Sequence, residues 1–232
     1  MRHVIALVLV LAGLTACAPL PQGAVPARVS QPGQAAERQF VAVIETVAPV
    51  AEAECRRVVQ GRSCDFQIVV DTTPNQPPNA FQTLDRRGRP VLAFNLGLIA
   101  SVENADELAF VVGHEAAHHI LNHLARQQIN SEAAAAIFSG VAAITGAGER
   151  GIQEAGRIGA VVGARSYSKD FEIEADRLGT LITMRAGYDP VRGAQFFSRL
   201  PDPGNQFLGT HPPNADRQKA VADTAAVLTA RR

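Results

Sequence analysis

Apolar residues recur at spacings of three and four in five stretches of this chain, and they cluster or alternate in three short ones. Phe40, Val43, Ile44, Val47, Val50 and Ala51 predict a first helix over Glu37–Val59, with Pro49 a point of kinking or division. Asp65–Asp71, Asn79–Leu84 and Pro90–Asn95 read as strands, and Arg86–Arg89 supplies the turn between the last two. Leu108, Val111, Val112, Ile120 and Leu121 predict a second helix, whose start is marked by Asn104 followed by Glu107 in capping-box spacing. Residues Ala133–Ala164 are dominated by Ala and Gly, with Ile137, Phe138, Val141, Ile144, Ile158, Val161 and Val162 among them. Small residues at this density point to closely packed helices or a mobile loop. The uncharged part falls short of the ~20 residues a membrane span needs, so membrane contact there is a minor reading. A helix resumes over Phe171–Ala186, with Gly187 placed to end it and Pro190 just beyond, and a last helix runs from Asn214 to the C-terminus. No internal repeat is visible. The pattern is that of a mainly helical α+β domain with a small β-sheet.

The second helix contains His114-Glu115-Ala116-Ala117-His118, an H-E-x-x-H string. Residues four apart share a helix face, so His114 and His118 can address one ion. Glu115 stands beside that ion without being needed as a ligand, where a general base for a water molecule belongs. A catalytic zinc takes a third protein ligand and keeps one position open. His119 and His123 lie around the helix from the ligand face and are expected to be surface or structural residues. Glu172 and Asp176 are four apart on the later helix. If the two helices pack together, Glu172 can complete the ligand set, and Asp176 can accept the second N–H of a ligating histidine. Glu174 is expected to point away into solvent.

The ends add a compartment. Arg2, the apolar run Val4–Leu11 and then Leu14-Thr15-Ala16-Cys17 make residues 1–16 a signal peptide that resembles those of bacterial lipoproteins. Cys17 would be the lipidated residue, anchoring the protein in the periplasm. Ala18 after it favours the outer membrane by resemblance to the enterobacterial sorting rule. Residues 17–35 are rich in Pro and Gly and read as a tether, and 36–232 as one domain. Cys55 and Cys64 remain, an even pair in an oxidising compartment. A disulfide closing their short loop is the natural reading, with free thiols or a metal pair as alternatives. The chain has 22 basic and 22 acidic residues, a balance that argues against nucleic acid as a partner.

Several motifs stand in one order: H-E-A-A-H, then Ser166–Gly179 with its E-x-x-x-D, then Arg185–Pro190, then Gly209-Thr-His-Pro212 with Arg217 after it. From about Glu37 to Arg217 the chain resembles the HtpX and CAAX-prenyl-protease family of zinc metallopeptidases, and within it the soluble periplasmic branch. The resemblance implies a zincin-like fold with the small sheet beside the active-site helix. It implies one Zn2+ on His114, His118 and Glu172. It places His211 near the metal from the substrate side, either capping it at rest or steadying an oxyanion, and Arg217 in support by pairing with an acid. It makes Asn79-Ala80-Phe81 the strand lining the cleft, to which a substrate peptide adds. By the same analogy the substrates are unfolded or misassembled envelope proteins. A binding or chaperone-type factor with a closed site, and a structural lipoprotein with an accidental motif, are the alternatives.

Overall fold

The computed structural model describes residues 33–231. Residues 1–16 and Cys17 lie outside them. Helix α1, Gln34–Val58, begins two residues ahead of the expected start of order and runs through Pro49 without a break. Phe40, Val43, Val47 and Ala51 form its buried stripe at spacings of three and four, and that stripe packs on the metal-motif helix. Three strands follow, β1 (Gln67–Asp71), β2 (Ala80–Leu84) and β3 (Pro90–Asn95). Their order is β1-β3-β2, with β1 parallel to β3 and β2 antiparallel to it, so β2 is an edge.

A short helix, α2 (Leu96–Ser101), follows β3 directly and has no counterpart in the sequence reading. Six residues are too few to show a helical period. Its start is set by Asn95, whose Oδ1 accepts from the Leu98 N–H and whose amide donates to the Pro77 carbonyl. Helix α3 (Ala105–Ile120) is capped by Asn104, whose Oδ1 accepts from the Glu107 N–H at 3.1 Å. The return half of the capping box is displaced by one residue, because the Glu107 carboxylate accepts from the Glu103 N–H and holds Arg199. Nearly every residue of α3 is buried.

The Ala/Gly-rich stretch forms two antiparallel helices, α4 (His123–Ile144) and α5 (Glu149–Ser166). Glycine sets their closeness: a Cβ on Gly159 would stand 2.5 Å from the Ala134 carbonyl oxygen, and one on Gly163 would run into that of Asn130. Ile137, Val141 and Ile144 remain exposed on this hairpin. No helix among the described residues is long and apolar enough to cross a membrane. Then come α6 (Ser168–Arg185), α7 (Pro190–Gly193), a 3-10 turn (Ala194–Arg199), a loop, and α8 (Asn214–Ala230) against α6. Gly187 adopts φ +87° after α6, and Pro190 opens α7.

Helices α3 and α6 cross at a pair of glycines. A Cβ on Gly113 would meet the Gly179 carbonyl oxygen at 3.0 Å, and one on Gly179 would meet the His114 backbone nitrogen at 3.0 Å. The crossing lies one residue from His114, so the backbone of α6 runs against the metal motif itself. At the far end of α3, a disulfide joins Cys55 of α1 to Cys64. The loop it closes brings Arg62 onto the helix, where the guanidinium donates to the carbonyls of His119 and Ile120 at 2.6 and 3.0 Å.

Gly179→Ala opposes two effects. Alanine gains ~0.5–1 kcal/mol of intrinsic helix preference. Its Cβ must push two backbones apart, an overpacking cost of ~1–3 kcal/mol. The steric effect wins because the contact is backbone on backbone. Urea denaturation should show a net loss of ~1–2 kcal/mol; a stabilised variant would mean that the crossing is not tight.

Candidate metal centre

The crossing brings the motif of α3 and the acids of α6 to one point. His114 Nε2 and His118 Nε2 are 3.0 Å apart, as one helical turn allows. Glu172 reaches both, with Oε2 3.4 Å from His114 Nε2 and Oε1 3.4 Å from His118 Nε2. The ligand atoms of these three residues all lie within 4.8 Å of one another. Asp176, one turn beyond Glu172 and fully buried, takes the other nitrogen of His114, with Oδ1 3.0 Å from Nδ1. That contact leaves the Nε2 lone pair of His114 facing its neighbours.

Arg217 of α8 lies beneath, itself buried. Its Nε donates to Asp176 Oδ2 at 2.8 Å and its NH2 to Asp176 Oδ1 at 2.6 Å, a two-pronged pair. The same nitrogen lies 3.3 Å from Glu172 Oε2, and the guanidinium stacks 3.8 Å over the Phe197 ring. Glu115 is buried beside His114. His211, in the loop before α8, is half-exposed, with Nδ1 2.9 Å from the Thr210 hydroxyl and Nε2 3.9 Å from Glu172 Oε2.

His114, Glu115, His118, Glu172, His211 and Arg217 line a cleft of about 360 Å³ that Asn79, Ala80, Phe81, Phe110 and Phe171 also border. Edge strand β2 forms one wall. Asn95 donates its N–H to the Asn79 carbonyl, so Asn79 and, two residues on, Phe81 pair with β3. Ala80 and Gln82 therefore turn their backbone N–H and C=O groups to the free edge. The Gln82 N–H is directed at the Glu115 carboxylate.

The electrostatics describe a site built for a cation. Burial pushes Glu115 up to about 7, with the charge of Glu172 adding to the effect. Burial would lower His114, but hydrogen bonds to Asp176 and Glu172 outweigh it and hold the group up at about 10. Burial and the charge of His114 push His118 down to about 3. Without a metal, the one extra proton of the pair is thus held on His114, and His118 is neutral. Glu172 is buried too, but its contacts with His114 and Arg217 keep it well below the ordinary carboxylate range. Zinc fits this donor set. A tetrahedral ion with bonds of ~2.0–2.1 Å separates its ligand atoms by ~3.3 Å, close to the 3.0, 3.4 and 3.4 Å seen here. Charge agrees: once both histidines are neutral, as ligands must be, Glu115, Glu172 and Asp176 ionised against the guanidinium of Arg217 leave two negative charges, which a divalent ion neutralises.

Of the two roles expected for His119 and His123, surface or structural, the structure shows the structural one. His123 is buried and closer to the ligands than expected, with Nδ1 2.9 Å from His118 Nδ1. The helical-wheel argument assumed one continuous helix. The chain instead ends α3 at Ile120 and turns through Asn122, whose φ of +60° starts α4 in a new direction. His119 is buried as well, with Nε2 2.7 Å from the Ser63 carbonyl. Glu174 is not left to solvent, since it meets Arg126 at 2.6 Å and His123 at 3.2 Å. Nothing in the spacing of Arg126 and Glu174, 48 residues apart, announces that pair.

With this geometry in hand, the comparisons with known proteins are specific. A sequence model of peptidase family M48 matches residues 35–225, most of the chain. The chain belongs to peptidase family M48. It is 35 % identical over 139 residues to the putative beta-barrel assembly-enhancing protease of Vibrio cholerae, a match covering 54 % of this chain and 29 % of that protein. To the beta-barrel assembly-enhancing protease of Escherichia coli strain K12 it is 29 % identical over 134 residues, 47 % of this chain and 25 % of the relative. To the mitochondrial metalloendopeptidase OMA1 of Arabidopsis thaliana it is 30 % identical over 130 residues, 54 % and 26 %. The matched stretch thus spans less than a third of the length of these relatives. The match covers the mainly helical domain and its three-stranded sheet, including the residues of the metal centre.

Arg217→Ala would leave the Asp176 carboxylate buried without its partner, at a cost of ~3–5 kcal/mol in unfolding stability. Burial alone would raise Asp176, and pairing with Arg217 overturns that and lowers it. A lowered folded-state value stabilises above the unfolded value of ~3.9 and ceases to do so as pH falls through the folded value. The stability gap between wild type and variant should therefore be full at pH 6–7 and shrink below about pH 4. Denaturant titrations across that range check it; a gap independent of pH would contradict the pairing.

Proposed function

We propose that this protein is a zinc-dependent endopeptidase of the bacterial envelope that hydrolyses unfolded or misassembled envelope proteins. The observation that carries the reading is the convergence of His114, His118 and Glu172 on one point, in a cleft that Glu115 and edge strand β2 also line. His114, His118 and Glu172 would hold the ion. Zinc supplies Lewis acidity when bound, lowering the pKa of a water and polarising a peptide carbonyl. An extended substrate pairs with the backbone groups of Ala80 and the carbonyl of Gln82, which gives affinity without side-chain selection and suits unfolded chains. Asn79, Ala80 and Phe81 line its path.

Glu115 then takes a proton from the attacking water and hands it to the leaving amine. Its burial keeps the carboxyl close to neutral pKa, which matches it to both steps. His211 has its Nδ1 2.9 Å from the Thr210 hydroxyl; in the tautomer in which that hydroxyl donates to Nδ1, an Nε2–H faces the cleft and steadies the developing oxyanion. Asp176 and Arg217 hold His114 and Glu172 in place. Residues 1–16 serve as signal peptide and 17–35 as tether. A lipid on Cys17 keeps the 36–232 domain at the periplasmic face of a membrane, in this reading the outer one. The names of the bacterial relatives support an envelope role, as does the Leu14–Cys17 pattern.

Purified protein should contain one zinc per chain and cleave casein. Glu115→Gln should keep the zinc and lose at least ~100-fold in kcat. His211→Ala should keep the zinc and lose kcat more than KM; a gain in rate would instead mark His211 as a cap on the site. Full cleavage by Glu115→Gln, or protein without zinc, would overturn the proposal.

A base raised by burial works only when ionised, so kcat/KM should fall on acidification with a midpoint at or below pH 7. A flat profile between pH 5 and 8 would remove Glu115 from that role.

A further inference from the structure

Histidine ligands to metals ordinarily lean on a carboxylate or a carbonyl through their second nitrogen. His114 does so directly, on Asp176. His118 has no carboxylate at its Nδ1. It has the Nδ1 of His123, at 2.9 Å. The other nitrogen of His123 lies 3.2 Å from Glu174 Oε2, and Glu174 is gripped at both oxygens by Arg126, at 2.6 and 3.2 Å. The His123 ring is fixed by Phe171, which stacks on it at 4.6 Å with the planes 10° apart. Arg126 covers Phe171 at 4.3 Å. These contacts come from α3, α4 and α6 and leave the His123 ring no freedom to turn.

With both imidazoles neutral, only one distribution of protons satisfies this row. The Glu174 carboxylate accepts and cannot donate, so the N–H of His123 is at Nε2. His123 Nδ1 is then a lone pair and must accept, so His118 has its N–H at Nδ1. That leaves the Nε2 of His118 a bare lone pair, facing His114 and Glu172 at the convergence point. We propose that His123 and Glu174 are positioning residues for the metal ligand His118: Glu174, held by Arg126, fixes the tautomer of His123, and His123 fixes that of His118. The site would thus have two separate braces, Asp176 with Arg217 behind His114, and Glu174 with Arg126 behind His118 through an extra imidazole. This inference rests on the reading of His118 as a ligand.

Cobalt separates the possibilities, because Co2+ in a tetrahedral nitrogen and oxygen site gives visible d–d bands that report geometry without turnover. The full-length protein is stripped with chelator and titrated with Co2+. Wild type should bind one ion. His123→Phe keeps a ring stacked on Phe171 but removes the acceptor, and it should bind Co2+ about 10- to 100-fold more weakly with shifted bands. His123→Asn places an oxygen near the position of the lost Nδ1 and should recover part of the affinity, a rescue that mere packing would not produce. Glu174→Gln changes a half-exposed side chain and so spares the core if His123→Phe fails to fold. It should weaken binding by a smaller factor in the same direction. Unchanged affinity and bands in His123→Phe, or in Glu174→Gln where the former does not fold, would overturn the inference. Failure of wild type to bind Co2+ would instead overturn the metal reading beneath it.

Discussion

The glycine crossing of α3 and α6 is the constraint on which the site depends. Two helices with ordinary side chains at their contact lie 8–10 Å apart. Here Gly113 and Gly179 remove the side chains at the point of closest approach, and the backbones touch. The crossing falls at the motif, so Asp176 and Glu172, about one and two turns earlier in α6, face His114 and His118. A wider crossing would leave the carboxylates short of the imidazoles. The short, buried α3 is in turn anchored at both ends: Asn104 and Glu107 fix its start, and the disulfide-closed loop with Arg62 fixes its end.

Around that crossing the protein places charges where water cannot solvate them. Asp176, Arg217, His114 and Glu115 are all buried. Such a cluster disfavours folding unless each group has a partner. Among the described residues, no buried side-chain nitrogen or oxygen lacks a hydrogen-bond partner. The partners are arranged by role. Arginines sit behind carboxylates, carboxylates behind imidazoles, and the imidazole lone pairs point inward to the place where positive charge is missing. The catalytic function proposed for Glu115 and the metal preference come from the same arrangement, since a low-dielectric pocket with surplus negative charge raises a carboxyl and attracts a cation.

Much of this was legible in the sequence, and what was not shares a cause. The three strands, the long helices after them and the cap at Asn104 follow from local periods and capping chemistry. Helix α2 was missed because six residues show no period, and α7 and the 3-10 turn are shorter still or equally brief. The ligand set could be assembled from spacing because His114–His118 and Glu172–Asp176 are each pairs within one helix. The contact of His123 with His118 was not legible because it depends on a left-handed residue at Asn122 that ends one helix and starts another. Glu174 was misplaced because its neighbours Arg126 and His123 come from a different helix, far away in sequence.

The sequence by itself determined the chemistry of this protein: which residues can bind a metal, which one can act as base, and which helix faces they share. Those properties are local, since side-chain type and a 3.6-residue repeat decide them. The tertiary structure alone decided that the two helix faces meet, which second nitrogen leans on which acid, and which edge of the sheet stays open to a peptide. These depend on how closely backbones approach and on where a chain turns, and a distance between residues far apart in sequence is written into no single stretch of it.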